Sequence, residues 1–204
     1  MMITGAVLVI IATAILAFSL FMIGDEEKSL DKAVRFDGGA ADADVLERLV
    51  IIEGKISVKN RILAHDFVDG AKEWYDFDAD WSTLQEYRQP VLADLARGGI
   101  ILNSDKLCTR AEGSNILNTD ERSGSADRIR YIGLRRGDPI IAVGTLTSSA
   151  PAALAVKYWY SGSIAGYRNF LASSRKNGFI FFAVLASLGA GLFLWGFRIR
   201  GAGL

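Results

Sequence analysis

The stretch GFIFFAVLASLGAGLFLWGF, residues 178–197, is twenty residues without a charge. A helix rises about 1.5 Å per residue, so this length matches a hydrocarbon core of about 30 Å. Arg175 and Lys176 stand before the run, and Arg198 and Arg200 follow it. Each such cation costs about 2.5–3.5 kcal/mol at the centre of a bilayer, so the charges bracket the run instead of entering it. Trp195 lies near one end, where an amphipathic ring favours the interface. A core helix of a soluble protein would keep a polar face, which this run lacks. The reading predicts a second transmembrane helix and basic tail over residues 178–204. Arg168, Arg175, Lys176, Trp195 and Arg198 are then the membrane-interface residues.

A second uncharged run, ITGAVLVIIATAILAFSLFMI, covers residues 3–23. A cleaved signal peptide would carry a basic n-region and a shorter apolar core. No Lys or Arg precedes this run, and Asp25-Glu26-Glu27 follows it directly. A retained first transmembrane helix over residues 1–24 is the expectation. The chain then forms a membrane hairpin with both termini on one side, cytoplasmic or its organellar equivalent. Counting positive charges does not fix the orientation of so long a middle segment. Ala183, Ser187 and Gly191 recur at the small-xxx-small spacing that lets helix backbones approach, so they are the expected helix-packing residues. Thr13 and Ala17 give a weaker version in the first run.

Overall charge balances at 23 basic and 23 acidic residues, which removes a global case for nucleic-acid binding. The distribution is uneven. Residues 25–53 hold nine acidic and four basic side chains, while residues 139–204 hold six basic and none acidic. A basic end beside the second run suits anionic headgroups. One cysteine, Cys108, excludes an intramolecular disulfide and any multi-cysteine zinc module, and one histidine, His65, removes most metal and acid–base arrangements.

Residues 25–44 are polar and rich in Gly, Ala and Asp, a tether. A β-rich domain is expected over residues 45–162. Asp44 can cap a short helical turn before it. Residues 49–58 read as a strand, with Ile52, Ile56 and Val58 on one face and Gly54 marking a close approach or bulge. The aromatic and acidic block 74–88 reads as a solvated strand edge or loop. Its Asp76, Asp78 and Asp80 do not make a calcium loop, because Trp81 and Tyr87 stand where that loop needs Gly and Glu. Short strands follow at 91–96 and 100–102, around a turn at 97–99. Residues 103–128 read as a long surface loop. Residues 128–134 alternate, with Ile129 and Tyr131 on one face and Ile132 and Leu134 on the other. Arg135 and Arg136 sit in a turn, read as a solvated hairpin tip with an anion site as the alternative. Strands at 140–146 and 153–160 complete five to seven, a small barrel or sandwich. Residues 163–177 return to helical spacing, with Ile164, Tyr167, Phe170 and Leu171 in an apolar stripe, and lead into the second run.

The chain has no GxSxG, HExxH or CxxC and no Gly-rich phosphate loop. A Cys108/His65 dyad would need an oxyanion motif that is also missing. No catalytic, cofactor-binding or metal-binding residues are assigned.

Four segments resemble the GIDE family, the MULAN-type membrane ubiquitin ligases and their chloroplast and prokaryotic relatives. YIGLRRGDPIIAVGTL at 131–146 is similar to the signature of the family's beside-a-membrane domain, and VIIEGKISVKNRIL at 50–63 to its first strand. LQEYRQP at 84–90 resembles its Leu-Gln-Glu-His strand with Tyr87 in place of His, and residues 158–176 its lead-in to the second span. Those ligases carry a RING finger after that span. Seven residues follow Phe197 here and none is a cysteine, so ubiquitin transfer is not carried over. The expected fold is a mainly β extramembrane domain between two transmembrane α-helices. The expected function is a non-enzymatic binding or sensing module beside the bilayer, with a protein partner. The alternative is an accessory subunit of a larger complex in an energy-transducing or organellar membrane.

Overall fold

Alternation along Leu49–Ile56 builds one wall of a barrel: Val50, Ile52 and Ile56 are buried on one side while Glu53 and Lys55 reach solvent. The structure is a computed structural model that describes residues 2–39, 45–76, 80–108, 116–119 and 128–201. Among these are two helices, α1 (Met2–Lys32) and α2 (Ile164–Gly201), and ten strands. The strands are β1 (Val34–Arg35), β2 (Leu49–Ile56), β3 (Phe67–Asp76), β4 (Asp80–Tyr87), β5 (Val91–Leu95), β6 (Gly98–Asn103), β7 (Ile116–Thr119), β8 (Arg128–Arg135), β9 (Pro139–Ser149) and β10 (Ala152–Ser161). The expected five to seven was too few.

Five strands close on themselves in the order β2-β5-β6-β10-β9, with β9 returning to β2. Four of the five contacts are antiparallel; β6 and β10 run parallel. β9, after a long connection, lies beside β2, which gives the 4-1-2-3 Greek-key order. This is the connectivity of an OB-type barrel. Closure removes the exposed sheet edges that five short strands would otherwise present. Inward residues alternate along every wall, as with Ile100 and Leu102 on β6 or Ile140 and Ala142 on β9. The wall of β9 is also covered outside, where Ile141 and Val143 are buried, and its apolar run fits a strand buried on both faces. Gly54 meets the expected close approach: a Cβ there would stand 2.5 Å from the Asp94 carbonyl oxygen, at the point where β2 turns onto β5.

A second sheet, in the order β4-β3-β8-β7, is assembled from two insertions into the barrel. β3 and β4 lie between barrel strands β2 and β5; β7 and β8 lie between β6 and β9. Its central pair, β3 with β8, therefore joins segments far apart in sequence. Ile129 and Tyr131 pack with Phe67 in a small separate core, while Leu134 at the other end of β8 enters the barrel core. That matches the two faces expected of residues 128–134.

Several expectations change. β2 ends at Ile56 and Val58 is exposed, because Ser57–Asn60 turn away from the strand direction. The tether segment is helical at its start, as a helical connector would be: α1 continues through Asp25–Glu27 to Lys32, and Val34–Arg35 then pairs in parallel with β2. β7 lies inside the expected surface loop, where four residues too few to show an alternating pattern gain their strand from pairing with β8. The block 74–88 is the β3–β4 hairpin, with β4 at the sheet edge as read. The lead-in helix and the second run form one continuous α2. Asp44, Asp78 and the side chains of Asp76 and Asp80 lie outside the described residues.

The chain divides into two compact units, residues 1–28 with 168–204, and residues 29–167. Within the first, Arg175 is ion-paired with Glu27, and Gly178 faces Leu16. These contacts run in opposite chain directions, as in an antiparallel helix pair.

Candidate functional site

The junction between barrel and second sheet is a set of polar clamps. Asn60 is buried in the β2–β3 connection; its Nδ2 donates to the carbonyls of Ser57 (2.9 Å) and Leu92 (2.7 Å), and its Oδ1 accepts from the Leu92 amide (2.7 Å). Gln89, between β4 and β5, donates to the carbonyls of Arg61 (2.6 Å) and Val68 (2.9 Å). Arg136 forks onto the Asn60 carbonyl, with Nε at 2.8 Å. Arg135 places its guanidinium 4.7 Å from the Phe67 ring centre, and its amide donates to Asp138 Oδ2 at 2.7 Å. The Arg135–Arg136 turn is exposed at Arg136 and Gly137, as expected of a solvated tip, yet Arg136 also fastens the β8–β9 corner to the β2–β3 connection and Arg135 lies against Phe67 of β3.

Asp69 on β3 lies at this junction. It is 3% exposed, and its Oδ2 is buried with no hydrogen-bond partner among the described residues. Burial pushes its carboxyl up to about 7, against the lowering effects of the Cys108 amide and the Arg88 charge. Beside it, Arg88, Gln89, Pro90, Asn103 and Ser104 line an open depression of about 290 Å³. Arg88 hydrogen-bonds the Asp105 carbonyl and pairs with Glu86 at 2.6 Å. Sequence reading missed Asp69. The one available signal was an acid between the apolar Val68 and Gly70-Ala71.

A second feature lies on the other side of the β3–β8 pair from Tyr131. Arg130 pairs with Glu73 at 2.7 Å, both largely covered, and its guanidinium stands 3.9 Å from the Trp81 ring centre. Tyr75 lies 5.4 Å from Trp81. The result is a half-exposed aromatic platform with a stacked arginine, the residue types enriched at protein-interface hot spots. His65 and Cys108 are not brought together as a dyad. His65 is exposed on the turn before β3, at φ 46° and 4.2 Å from the Tyr131 ring, while Cys108 is buried in the barrel core.

The expected helix-packing residues stand on the open side of α2. Ala183, Ser187 and Gly191 are exposed, and Ser187 Oγ returns its hydrogen bond to the Ala183 carbonyl at 2.7 Å. The covered side of α2 carries Phe182, Leu185, Ala186, Gly189 and Leu192 instead. Of the interface residues, Arg175 pairs with Glu27, Arg168 and Lys176 are exposed, Trp195 is 63% exposed, and the Arg198 side chain lies outside the described residues. Large apolar side chains stand exposed along both helices, among them Ile10, Phe18 and Phe21 on α1 and Phe179, Phe181 and Leu188 on α2. Among the described residues, no helix is long and apolar enough to cross a membrane. Positions 3–6, 8, 9, 12 and 19 of the first uncharged run and 193, 196 and 197 of the second lie outside the described side chains.

Compared with family models, curated proteins and solved structures, the chain matches none.

Proposed function

We propose that the chain is a two-span membrane protein, related to the GIDE family, whose OB-type barrel and second sheet form a non-enzymatic binding module beside the bilayer. The observation that supports it is the contrast between the two units. The barrel interior is filled, yet the helices hold rows of Phe, Ile and Leu in the open. Burying each such side chain is worth about 1.5–3 kcal/mol, a driving force that lipid tails would satisfy. The basic residues 168, 175 and 176 and the indole of Trp195 flank the second apolar run, as interfacial anchors do.

The module's contact surface, on this reading, is the platform of Tyr75, Trp81 and Arg130. An OB-type barrel alone does not fix a ligand, since one fold carries many functions. The side chains do the arguing: rigid aromatic area with a stacked guanidinium suits a protein partner. The exposed Ala183, Ser187 and Gly191 face favours a second reading, an accessory subunit whose α2 is covered by another helix of a larger assembly.

Membrane fractionation with an alkaline carbonate wash tests the anchoring; recovery in the soluble fraction refutes it. Mild-detergent purification with mass spectrometry of co-eluting proteins tests the module. Trp81→Ala should lose the partner while staying in the membrane fraction. A partner that survives Trp81→Ala but leaves with Ser187→Leu moves the contact to α2.

A further inference from the structure

The connection from β2 to β3 has a pinned backbone and side chains that stand in water. Asn60 makes its three side-chain hydrogen bonds to Ser57 and Leu92, and the Ser57 hydroxyl accepts from the Lys59 amide at 3.4 Å. Gln89 donates to the Arg61 carbonyl and Arg136 to that of Asn60. From this fixed loop Val58 is 68% exposed and Ile62 38% exposed. Lys59 and Arg61 between them are exposed, and so is Arg136. Among the described residues, none of these three cations has a carboxylate within ion-pair distance. Lys55 is not counted with them, since it stands opposite Asp94 on β5. Of the acids in the flanking turns, Asp66 is exposed and Asp138 is engaged by the Arg135 amide.

We propose that residues 58–62, with Arg136, are a docking surface for an anionic lipid bilayer. Val58 and Ile62 enter the acyl boundary, and Lys59, Arg61 and Arg136 meet headgroup phosphates. The inference rests on the membrane reading only in that this reading gives the loop a bilayer to meet. Composition decides between lipid and protein. Protein hot spots favour Trp, Tyr and Arg and disfavour Val, and lysine is depleted from interface cores. Aliphatic side chains set among Lys and Arg suit the headgroup boundary instead, where the apolar part enters and long cationic stems reach back to phosphate. A loop already held by its backbone loses little further freedom on docking. Each cation beside an anionic surface strengthens docking about fivefold, so the three together favour an anionic over a neutral bilayer by about a hundredfold. Salt weakens that preference.

The full chain with Val58→Cys is labelled at residue 58 with an environment-sensitive fluorophore; Cys108, 2% exposed, stays in place and labelled wild type is the blank. It is reconstituted into vesicles of phosphatidylcholine, alone or with about 30% phosphatidylserine. Thr83→Cys, at an exposed position of β4, carries the control label. With phosphatidylserine, emission from residue 58 should move to the blue and be quenched by nitroxide lipids, and both effects should vanish in high salt. Residue 83 should show neither. Lys59→Gln with Arg61→Gln should lower the docked-to-free ratio about 25-fold. Neither side chain takes part in the clamps, so the loop keeps its shape. A carbonate-resistant chain whose residue 58 ignores phosphatidylserine overturns the inference and leaves the anchoring intact. A chain washed out by carbonate, whose label still shifts on added phosphatidylserine vesicles, loses the anchoring and keeps the docking. Equal shifts in the two lipids, or at both labelled positions, overturn it. So does protection of residue 58 by a co-purified protein with no response to lipid, which makes the loop a protein contact.

Discussion

Asn60→Ala tests the idea that polar clamps, not a shared apolar core, hold the second sheet to the barrel. The side chain makes three hydrogen bonds of 2.7–2.9 Å, and two of them satisfy the amide and carbonyl of Leu92. Alanine leaves that peptide unit of β5 with no partner from residue 60. An unsatisfied buried polar group costs about 1–3 kcal/mol. Only the Leu92 amide is left unsatisfied, since the Leu92 carbonyl also accepts from the Ser57 amide at 2.9 Å, so the change should cost about 1–3 kcal/mol. The Ser57 carbonyl adds little, because it also accepts from the Asn60 amide at 3.2 Å.

Three of the four tryptophans, Trp74, Trp81 and Trp159, lie in residues 29–167, so fluorescence-detected unfolding of the detergent-solubilised chain reports this unit. For a unit of this size, a loss of about 2 kcal/mol lowers Tm by roughly 4–8 °C. Asn60→Asp supplies the control. It keeps the acceptor for the Leu92 amide but sets a carboxylate against the Ser57 and Leu92 carbonyls, so it should be worse than alanine at pH 7 and milder near pH 4. A shift below 1 kcal/mol for Asn60→Ala, or no pH dependence for Asn60→Asp, would show that the clamp does not hold the junction.

Gly133→Ala should be among the most damaging single changes. Its Cβ would stand 2.0 Å from the Asp69 carbonyl oxygen at φ 155°, so the β3–β8 pair must part, and a loss above about 3 kcal/mol is expected in the same assay. Leu154→Ala removes a fully buried barrel side chain and should cost about 2–5 kcal/mol, read as a lower Tm with the platform's Trp81 environment unchanged until the transition. Asp69 makes stability fall with rising pH. Its carboxyl is raised from 3.8 to about 7, so the folded state binds the proton more tightly than the unfolded chain. The contribution is fully present below about pH 4 and is lost as pH climbs to about 7, a span of ~4 kcal/mol. Asp69→Asn should flatten that slope in unfolding experiments at pH 5, 6 and 8, and an unchanged slope would assign it elsewhere.

How much of this was legible varies with the range of the interaction that decides it. The barrel strands were readable because alternation is local: Ile52 and Ile56, or Ile140 and Ala142, announce a face by spacing alone. Gly54 was readable as a close approach for the same reason. β7 was not, because Ile-Leu-Asn-Thr has no pattern of its own and becomes a strand only against β8. Nor was the role of Arg136, whose acceptor is a carbonyl 76 positions away. Asp69 was invisible in kind: an acid in a strand is ordinarily solvated, and only the β8 backbone and Cys108 arriving from later in the chain make it buried. The Ala183, Ser187 and Gly191 spacing marks a face of α2 that is open in the single chain, because small residues permit close packing without requiring it.

The second sheet explains why the junction matters to the platform. Two-stranded hairpins are marginal in water, and here the hairpin β3–β4 and the pair β7–β8 come from separate insertions. They meet only because the barrel brings the ends of β2, β5, β6 and β9 together. The sheet's stability is therefore borrowed through the connections that Asn60, Gln89, Arg136 and Asp69 hold. A partner docked on Tyr75, Trp81 and Arg130 would brace the sheet, and the bracing can reach the barrel only through those same connections. Binding on the platform should then be felt at the junction, with bound partner slowing amide hydrogen exchange of residues 57–60. Unchanged exchange there at saturating partner would mean that the platform and the junction act independently.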